Sequence, residues 1–71
     1  MKNLVREQRQ KKNITQEELA TKMKVSRQTI NAIETNRYLP SIVLALKLSE
    51  FFELNVNDLF VLEVENENSS S

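Results

Sequence analysis

A polar run at residues 27–31 carries the side chains with the clearest chemical potential in this chain. Arginine can donate two hydrogen bonds to O6 and N7 of guanine, and glutamine or asparagine can pair with N6 and N7 of adenine. The run supplies these groups at Arg27, Gln28 and Asn31. On a helix that enters the major groove N-terminus first, these positions lie near the base edges. Each residue taken alone is also typical of an ordinary solvated surface, so the surrounding elements decide the interpretation.

The residues around this run predict two helices that cross at a steep angle. Thr15 and Glu18 have the spacing of a capping box for a helix at Gln16–Met23, and Ser26 is the N-cap of a helix at Arg27–Thr35. The connection between the two helices is very short, which is typical of a helix-turn-helix. Backbone N–H groups at both N-termini suit phosphate oxygens, and Gln16 in the first turn is placed to hold a phosphate.

Caps and apolar spacing predict three further helices. Their expected bounds are near Asn3–Lys12, about Ile42–Phe52 after a Ser41 cap, and about Val56–Val61 after an Asn55 cap. The helix at 42–52 has few polar positions, which predicts that it is the central buried helix. Residues 61–65 alternate in part and are a candidate short strand, whereas residues 66–71 are polar and expected to be disordered.

Composition makes an enzyme improbable and favours a binding protein. Seventy-one residues allow one domain with a thin core. The chain has no Cys and no His, so thiolate metal sites are excluded and the commonest general base is missing. We therefore expect no catalytic residues, no cofactor, no metal and no small-molecule ligand. No apolar run approaches the roughly 20 residues of a membrane span, so a cytoplasmic protein without a membrane partner is expected.

The charge is distributed unevenly although the net charge is zero. Residues 1–40 carry nine basic and four acidic side chains, a net charge of +5, whereas residues 41–71 carry one basic and six acidic side chains, a net charge of −5. This asymmetry favours a polyanionic partner on one face, although solubility alone would also account for it.

The segment ITQEELATKMKVSRQTINAIETNRYLPS, residues 14–41, resembles the helix-turn-helix of the Cro/C1-type, XRE-like repressor family. The likeness covers roughly residues 5–60, with Leu19, Ala20, Val25 and Ile30 in register. It implies an all-α, five-helix domain of the lambda-repressor kind that binds double-stranded operator DNA as a homodimer. We accordingly expect a sequence-specific transcriptional regulator, a repressor on a palindromic operator, with the third helix in the major groove.

The resemblance also implies roles for individual residues. Arg27, Gln28 and Asn31 would read bases, and Thr29 would contact a base or the backbone. Phosphate contacts would come from Gln16, Ser26, Asn36 and Arg37. An Arg9–Glu34 pair would join the first helix to the recognition helix.

Family members commonly have glycine at three turn positions, but this chain has no glycine. Asn13, Lys24 and Asn36 occupy them. Asparagine tolerates the left-handed conformation, whereas Lys24 is expected either to be strained by about 1 kcal/mol or to sit in a rearranged turn.

The region after the fifth helix leaves several alternatives open. We assign residues 1–61 to the DNA-binding domain and residues 62–71 to a C-terminal extension. Phe60, Leu62 and Val64 are a candidate dimer interface, although they could instead complete the monomer core. A protein-interaction module, such as an antitoxin, is the alternative function, but the extension offers little room for a partner.

Overall fold

The computed structural model describes residues 1–62. These residues form five helices and a two-stranded antiparallel sheet. In chain order the elements are β1 (Lys2–Asn3), α1 (Val5–Lys11), α2 (Gln16–Met23), α3 (Arg27–Glu34), α4 (Ile42–Phe52), α5 (Val56–Leu59) and β2 (Phe60–Val61). The predicted all-α, five-helix fold with a short strand is confirmed. No helix in this part of the chain is both long and apolar enough to cross a membrane.

Side-chain caps fix the starts of α2, α3 and α4. The Glu18 N–H donates to Thr15 Oγ1 at 3.0 Å, and the Thr15 N–H donates to Glu18 Oε1 at 2.7 Å, which completes the predicted capping box. Ser26 Oγ accepts from the Thr29 N–H at 3.1 Å, and Ser41 Oγ caps α4 in the same way. Each cap contributes about 0.5–2 kcal/mol, so the starts of these helices are set locally by the sequence.

The two ends of the domain pair with each other through a strand that the sequence did not predict. Asn3 lies opposite Phe60, and Lys2 lies opposite Val61. The C-terminal strand therefore begins one residue earlier than the predicted segment at 61–65, of which residues 63–65 lie outside the described part of the chain. This pairing clamps the N-terminus to the C-terminal end of the domain.

The strand pairing also shortens the first and last helices. α1 begins at Val5 instead of Asn3 because Asn3 belongs to the extended strand β1. α5 ends at Leu59 instead of Val61, since the next residue has φ −120° and ψ 114°. Asn55 has the extended backbone of an N-cap but makes no side-chain capping hydrogen bond.

A small aliphatic core holds the five helices together. Among the described residues, the largest fully buried side chains are Val5, Leu19, Ile30, Ile33, Leu48 and Leu59. Every helix contributes at least one of them. The buried face of α3 therefore consists of Ile30 and Ile33, and the rest of that helix is turned away from the core.

The prediction that α4 is the central buried helix is wrong. Its buried side is formed by Leu44, Leu48 and Phe52, together with Ser49. Ile42, Val43 and Leu46 are instead exposed. Three buried positions at four-residue spacing lie on one face of a helix, and a domain of this size provides only one layer of helices to pack against that face. Apolar composition alone did not distinguish a buried helix from one with an apolar outer surface.

Four residues within positions 1–62 adopt the left-handed conformation, and none of them is glycine. Asn13, Lys24 and Asn36 occupy the positions where the family commonly has glycine, with φ values of 57°, 61° and 62°. Of the two alternatives predicted for Lys24, the structure has the left-handed conformation, and the residue ends α2. The fourth is Glu53 at the end of α4, with φ 59°, and no pattern in the sequence predicts this conformation for a glutamate.

Candidate nucleic-acid interface

The crossed pair α2 and α3 is held by its turn as well as by its core contacts. Lys24 ends α2, and the Val25 N–H donates to the Ala20 carbonyl at 3.0 Å. Val25 is half-buried, and its side chain packs against the core and so holds the turn in place. Ala20 is buried, and its small side chain allows the two helices to approach closely. The outer surface of α3 is consequently presented on a rigid support.

Four predicted DNA contacts lie together on the outer side of α3. Arg27, Gln28, Asn31 and Arg37 line one open concavity of about 410 Å³. Arg27, Gln28 and Arg37 are exposed, and Asn31 is half-exposed. Guanidinium and amide groups therefore converge on one surface, directly opposite the buried isoleucines of α3. This arrangement can offer several hydrogen-bond donors and two positive charges to a single ligand.

The same concavity contains Ala32, which sequence reasoning did not single out. Ala32 lies four residues after Gln28, so helical periodicity could have placed it on this face. Its methyl group gives the concavity a small apolar patch between polar side chains. Alanine in such a position can contact the methyl group of thymine.

Two hydroxyl groups at the start of α3 are hydrogen-bonded to each other. Ser26 Oγ lies 2.9 Å from Thr29 Oγ1 and also caps the helix. Ser26 is exposed, whereas Thr29 is half-buried and lines a different groove, which it shares with Lys24 and Lys47. Thr29 is therefore not brought together with the three predicted base-reading residues.

The turn after α3 is tied to the N-terminal strand. Asn3 Nδ2 donates to the Ile33 carbonyl at 2.9 Å and to Asn36 Oδ1 at 3.1 Å. The Arg37 N–H donates to the Ala32 carbonyl at 2.8 Å, so the chain turns back over the end of α3. Asn36 thereby has a structural role, and Arg37 projects beside the concavity.

Glu34 joins three helices at the end of α3. Its side chain is fully buried, and its Oε2 accepts from Arg9 Nε at 2.7 Å, while Arg9 Nη2 donates to Oε1 at 3.2 Å. Arg9 Nη1 also donates to the Ile14 carbonyl at 2.9 Å. The pair implied by the resemblance is thus present as a two-pronged contact, a geometry in which arginine binds carboxylates strongly.

Two further side chains reach the same carboxylate, and the sequence did not indicate either contact. Gln16 Nε2 donates to Glu34 Oε1 at 3.0 Å, and Arg6 Nε lies 3.6 Å from that oxygen. Gln16 is half-buried, so the residue expected to hold a phosphate also braces α2 against α3. Spacing on one helix cannot reveal a contact between two helices, which explains why these partners were missed.

These neighbours determine the ionisation of Glu34. Burial raises the pKa of the Glu34 carboxyl, but the hydrogen bonds from Arg9 and Gln16 and the charges of Arg9 and Arg6 outweigh burial. The pKa therefore lies below its ordinary value of 4.5, and the group is a carboxylate at neutral pH.

The candidate dimer residues have unlike surroundings. Phe60 is half-buried and packs against the core, whereas Leu62 is 78% exposed. Val64 lies outside the described residues. Phe60 thus belongs largely to the monomer, whereas the described residues leave Leu62 largely exposed.

Comparison with known proteins agrees with this geometry. Residues 5–59 match the helix-turn-helix family. An uncharacterised HTH-type transcriptional regulator of Methanocaldococcus jannaschii is 49% identical over 63 residues, which cover 89% of this chain and 96% of the relative. One from Bacillus subtilis is 46% identical over 66 residues, covering 93% of this chain and 100% of the relative. The chain belongs to the Cro/C1-type helix-turn-helix family of DNA-binding transcriptional regulators.

Proposed function

We propose that this protein is a sequence-specific repressor that binds a palindromic operator in double-stranded DNA as a homodimer. The observation that carries the proposal is the convergence of Arg27, Gln28 and Asn31 on one exposed concavity of α3. The opposite face of α3 is fully buried at Ile30 and Ile33, so the polar face can only be turned outward. A helix of this kind fits the major groove.

The concavity supplies direct readout of bases. Arg27 donates two hydrogen bonds to a guanine, while Gln28 and Asn31 pair with adenines. Ala32 packs on a thymine methyl group, so the apolar patch adds a preference at one further base. Each well-formed contact discriminates against the wrong base by about 1–3 kcal/mol.

The surrounding groups position the protein on the phosphates. Arg37 lies beside the concavity and binds the backbone by charge, with Asn36 next to it. Ser26 and Thr29 present the N-terminus of α3, whose backbone N–H groups attract phosphate. Gln16 donates one amide hydrogen to Glu34. Its second amide hydrogen then contacts a phosphate, which links DNA binding to the brace between α2 and α3.

A homodimer doubles the few base contacts that one small module can make. On a palindrome the half-sites lie about one helical turn, roughly 34 Å, apart. Leu62 is largely exposed and contributes to the interface together with Val64, and Phe60 supports Leu62 from the monomer side. Repression requires only that the bound dimer occupy promoter DNA in the cytoplasm, and the domain needs no further surface for that purpose.

Titration of labelled duplex DNA at several salt concentrations tests the proposal. We expect log K to fall steeply with log[salt], because cationic side chains displace counterions from phosphates. Arg37→Gln should weaken binding to all sequences alike and reduce the salt slope by about 1. Lys22→Gln is the matched control, since Lys22 lines a different surface with Glu17 and Glu18. A salt-independent affinity, or equal slopes for both variants, would refute the phosphate contact.

A further inference from the structure

Glu34 has two arginine neighbours for a single negative charge. Its carboxyl is ionised at neutral pH, because its pKa lies below the ordinary value of 4.5. Arg9 Nε lies 2.7 Å from Oε2, and Arg6 Nε lies 3.6 Å from Oε1. Within residues 1–62, neither arginine has another carboxylate at ion-pair distance. Two guanidinium groups around one carboxylate leave this cluster with one surplus positive charge.

The surplus charge is that of Arg6. Both oxygens of Glu34 already accept hydrogen bonds, Oε2 from Arg9 Nε and Oε1 from Arg9 Nη2 and Gln16 Nε2. The 3.6 Å between Arg6 Nε and Oε1 is too long for a further hydrogen bond. The Arg6 side chain is 51% exposed, whereas that of Arg9 is 13% exposed. Arg9 therefore neutralises the carboxylate, and Arg6 offers its guanidinium group to an anion outside the fold.

Gln16 supplies a second hydrogen-bond donor beside Arg6. A side-chain amide nitrogen carries two hydrogens, and Gln16 donates one of them to the same Glu34 oxygen that Arg6 approaches. The shared oxygen keeps the two side chains close together, and the second amide hydrogen remains for a ligand. A phosphate group has several acceptor oxygens, so one phosphate can bind to both side chains.

Arg6 and Arg37 adjoin different sides of α3. Arg37 lines the concavity together with Ala32, and its N–H donates to the Ala32 carbonyl. Arg6 instead lies beside Glu34, which follows Ala32 by two residues, or about 200° around a helix with 3.6 residues per turn. The two cationic side chains therefore flank the recognition helix. A helix in the major groove has a phosphate backbone on either side, so this placement offers one arginine to each strand.

We propose that Arg6 binds a DNA phosphate together with the second amide hydrogen of Gln16, on the strand opposite to the one that Arg37 contacts. This inference rests on the proposed function and adds a DNA contact from α1, which sequence reasoning did not single out. The contact has no base preference, because every phosphate presents the same oxygens. Glu34 is the positioning residue, since its buried carboxylate holds both donors at one point of the surface.

Titration of the full chain with duplexes of two unrelated sequences, at several salt concentrations, tests this contact. Arg6→Gln should weaken binding to both duplexes by the same factor and reduce the slope of log K against log[salt] by about 1. Arg6→Lys should keep most of the slope, because lysine also binds phosphate as a point charge. Lys11→Gln removes the same charge from an exposed position on another side of α1 and should keep the wild-type slope.

The combination of Arg6→Gln with Arg37→Gln gives a second readout. Because the two side chains flank α3 and bind different strands, the slope should fall by about 2 in the double variant. A role of Arg6 confined to the fold would lower the midpoint of chemical denaturation and leave the slope of DNA binding unchanged. That result overturns the proposal, and so does an equal loss of slope in Lys11→Gln and Arg6→Gln.

The inference and the proposed function fail in different ways. If the wild type binds duplex DNA with a steep salt dependence that Arg37→Gln reduces and Arg6→Gln does not, only the contact from Arg6 is refuted. If the wild type shows no salt-dependent binding to any duplex, the proposed function itself fails.

Discussion

Helices α3 and α4 bury similar aliphatic side chains, but their exposed side chains differ in polarity. α3 buries Ile30 and Ile33, and α4 buries Leu44 and Leu48. Outside, α3 carries guanidinium and amide groups, whereas the first half of α4 carries three exposed aliphatic side chains. The shared inner pattern is what any helix of a small domain needs in order to fold. The outer pattern is not required for folding, so the polar face of α3 is available for the base contacts that we propose, which an apolar surface could not make.

The largest expected effect concerns the reading face of α3. Arg27→Ala together with Gln28→Ala should remove most of the preference for the operator over a scrambled duplex, since each contact is worth about 1–3 kcal/mol. Competition binding with the two duplexes measures the loss. Thr21→Ala with Lys22→Ala changes exposed residues on the other side of α2 and should leave the preference intact. If the α3 variant still prefers the operator over the scrambled duplex as strongly as the wild type does, the outer face of α3 does not read bases.

The support of α3 gives the next largest effect. Glu34→Gln should destabilise the fold by about 2–4 kcal/mol, because Arg9 would lose its carboxylate partner in a mostly buried site. Chemical denaturation measures this change. Glu50→Gln, on the exposed side of α4, should stay within about 0.5 kcal/mol of the wild type. Similar stabilities for the two variants would mean that the carboxylate cluster does not hold α3 in place.

The same cluster predicts a dependence on pH. The pKa of Glu34 is lower in the folded protein than its ordinary value of 4.5. Its contribution to stability is therefore complete above that value and is lost as the pH falls through the folded pKa. Denaturation curves recorded from neutral to acidic pH should show wild type losing more stability than Glu34→Gln. Parallel curves would rule out a lowered pKa.

The smallest effect concerns the turn that leads into α3. Lys24→Gly should stabilise the protein by up to about 1 kcal/mol, because glycine adopts the left-handed conformation without steric strain. Lys22→Gly lies inside α2 and should destabilise by about the same amount. Thermal melts of both variants give the comparison. Clear destabilisation by Lys24→Gly would show that the lysine side chain stabilises the turn.

Local features of the sequence predicted the starts of three helices and the turns between helices well. The caps at Thr15, Ser26 and Ser41 are in place, and so are the left-handed asparagines. These features depend on neighbouring residues, and their chemistry can be read along the chain. The grouping of Arg27, Gln28 and Asn31 followed in the same way from their spacing on one helix.

Features that depend on distant residues were missed. β1 forms only because Asn3 meets Phe60 from the other end of the chain, and Gln16 reaches Glu34 from another helix. The exposure of Ile42 could not be deduced from composition, since apolar side chains on all sides of a helix suit both a buried position and an interface. Tertiary packing decides between these cases, and the pattern of residues along one helix does not reveal it.

Selection of bound sequences from a random DNA pool tests the central claim most directly. The wild type should return one two-fold symmetric site whose half-sites are about one helical turn apart. The variant combining Arg27→Ala and Gln28→Ala should return a site that has lost its base preference at matching positions in both halves. Identical sites from the two proteins, or no preferred site from the wild type, would contradict base reading by the outer face of α3.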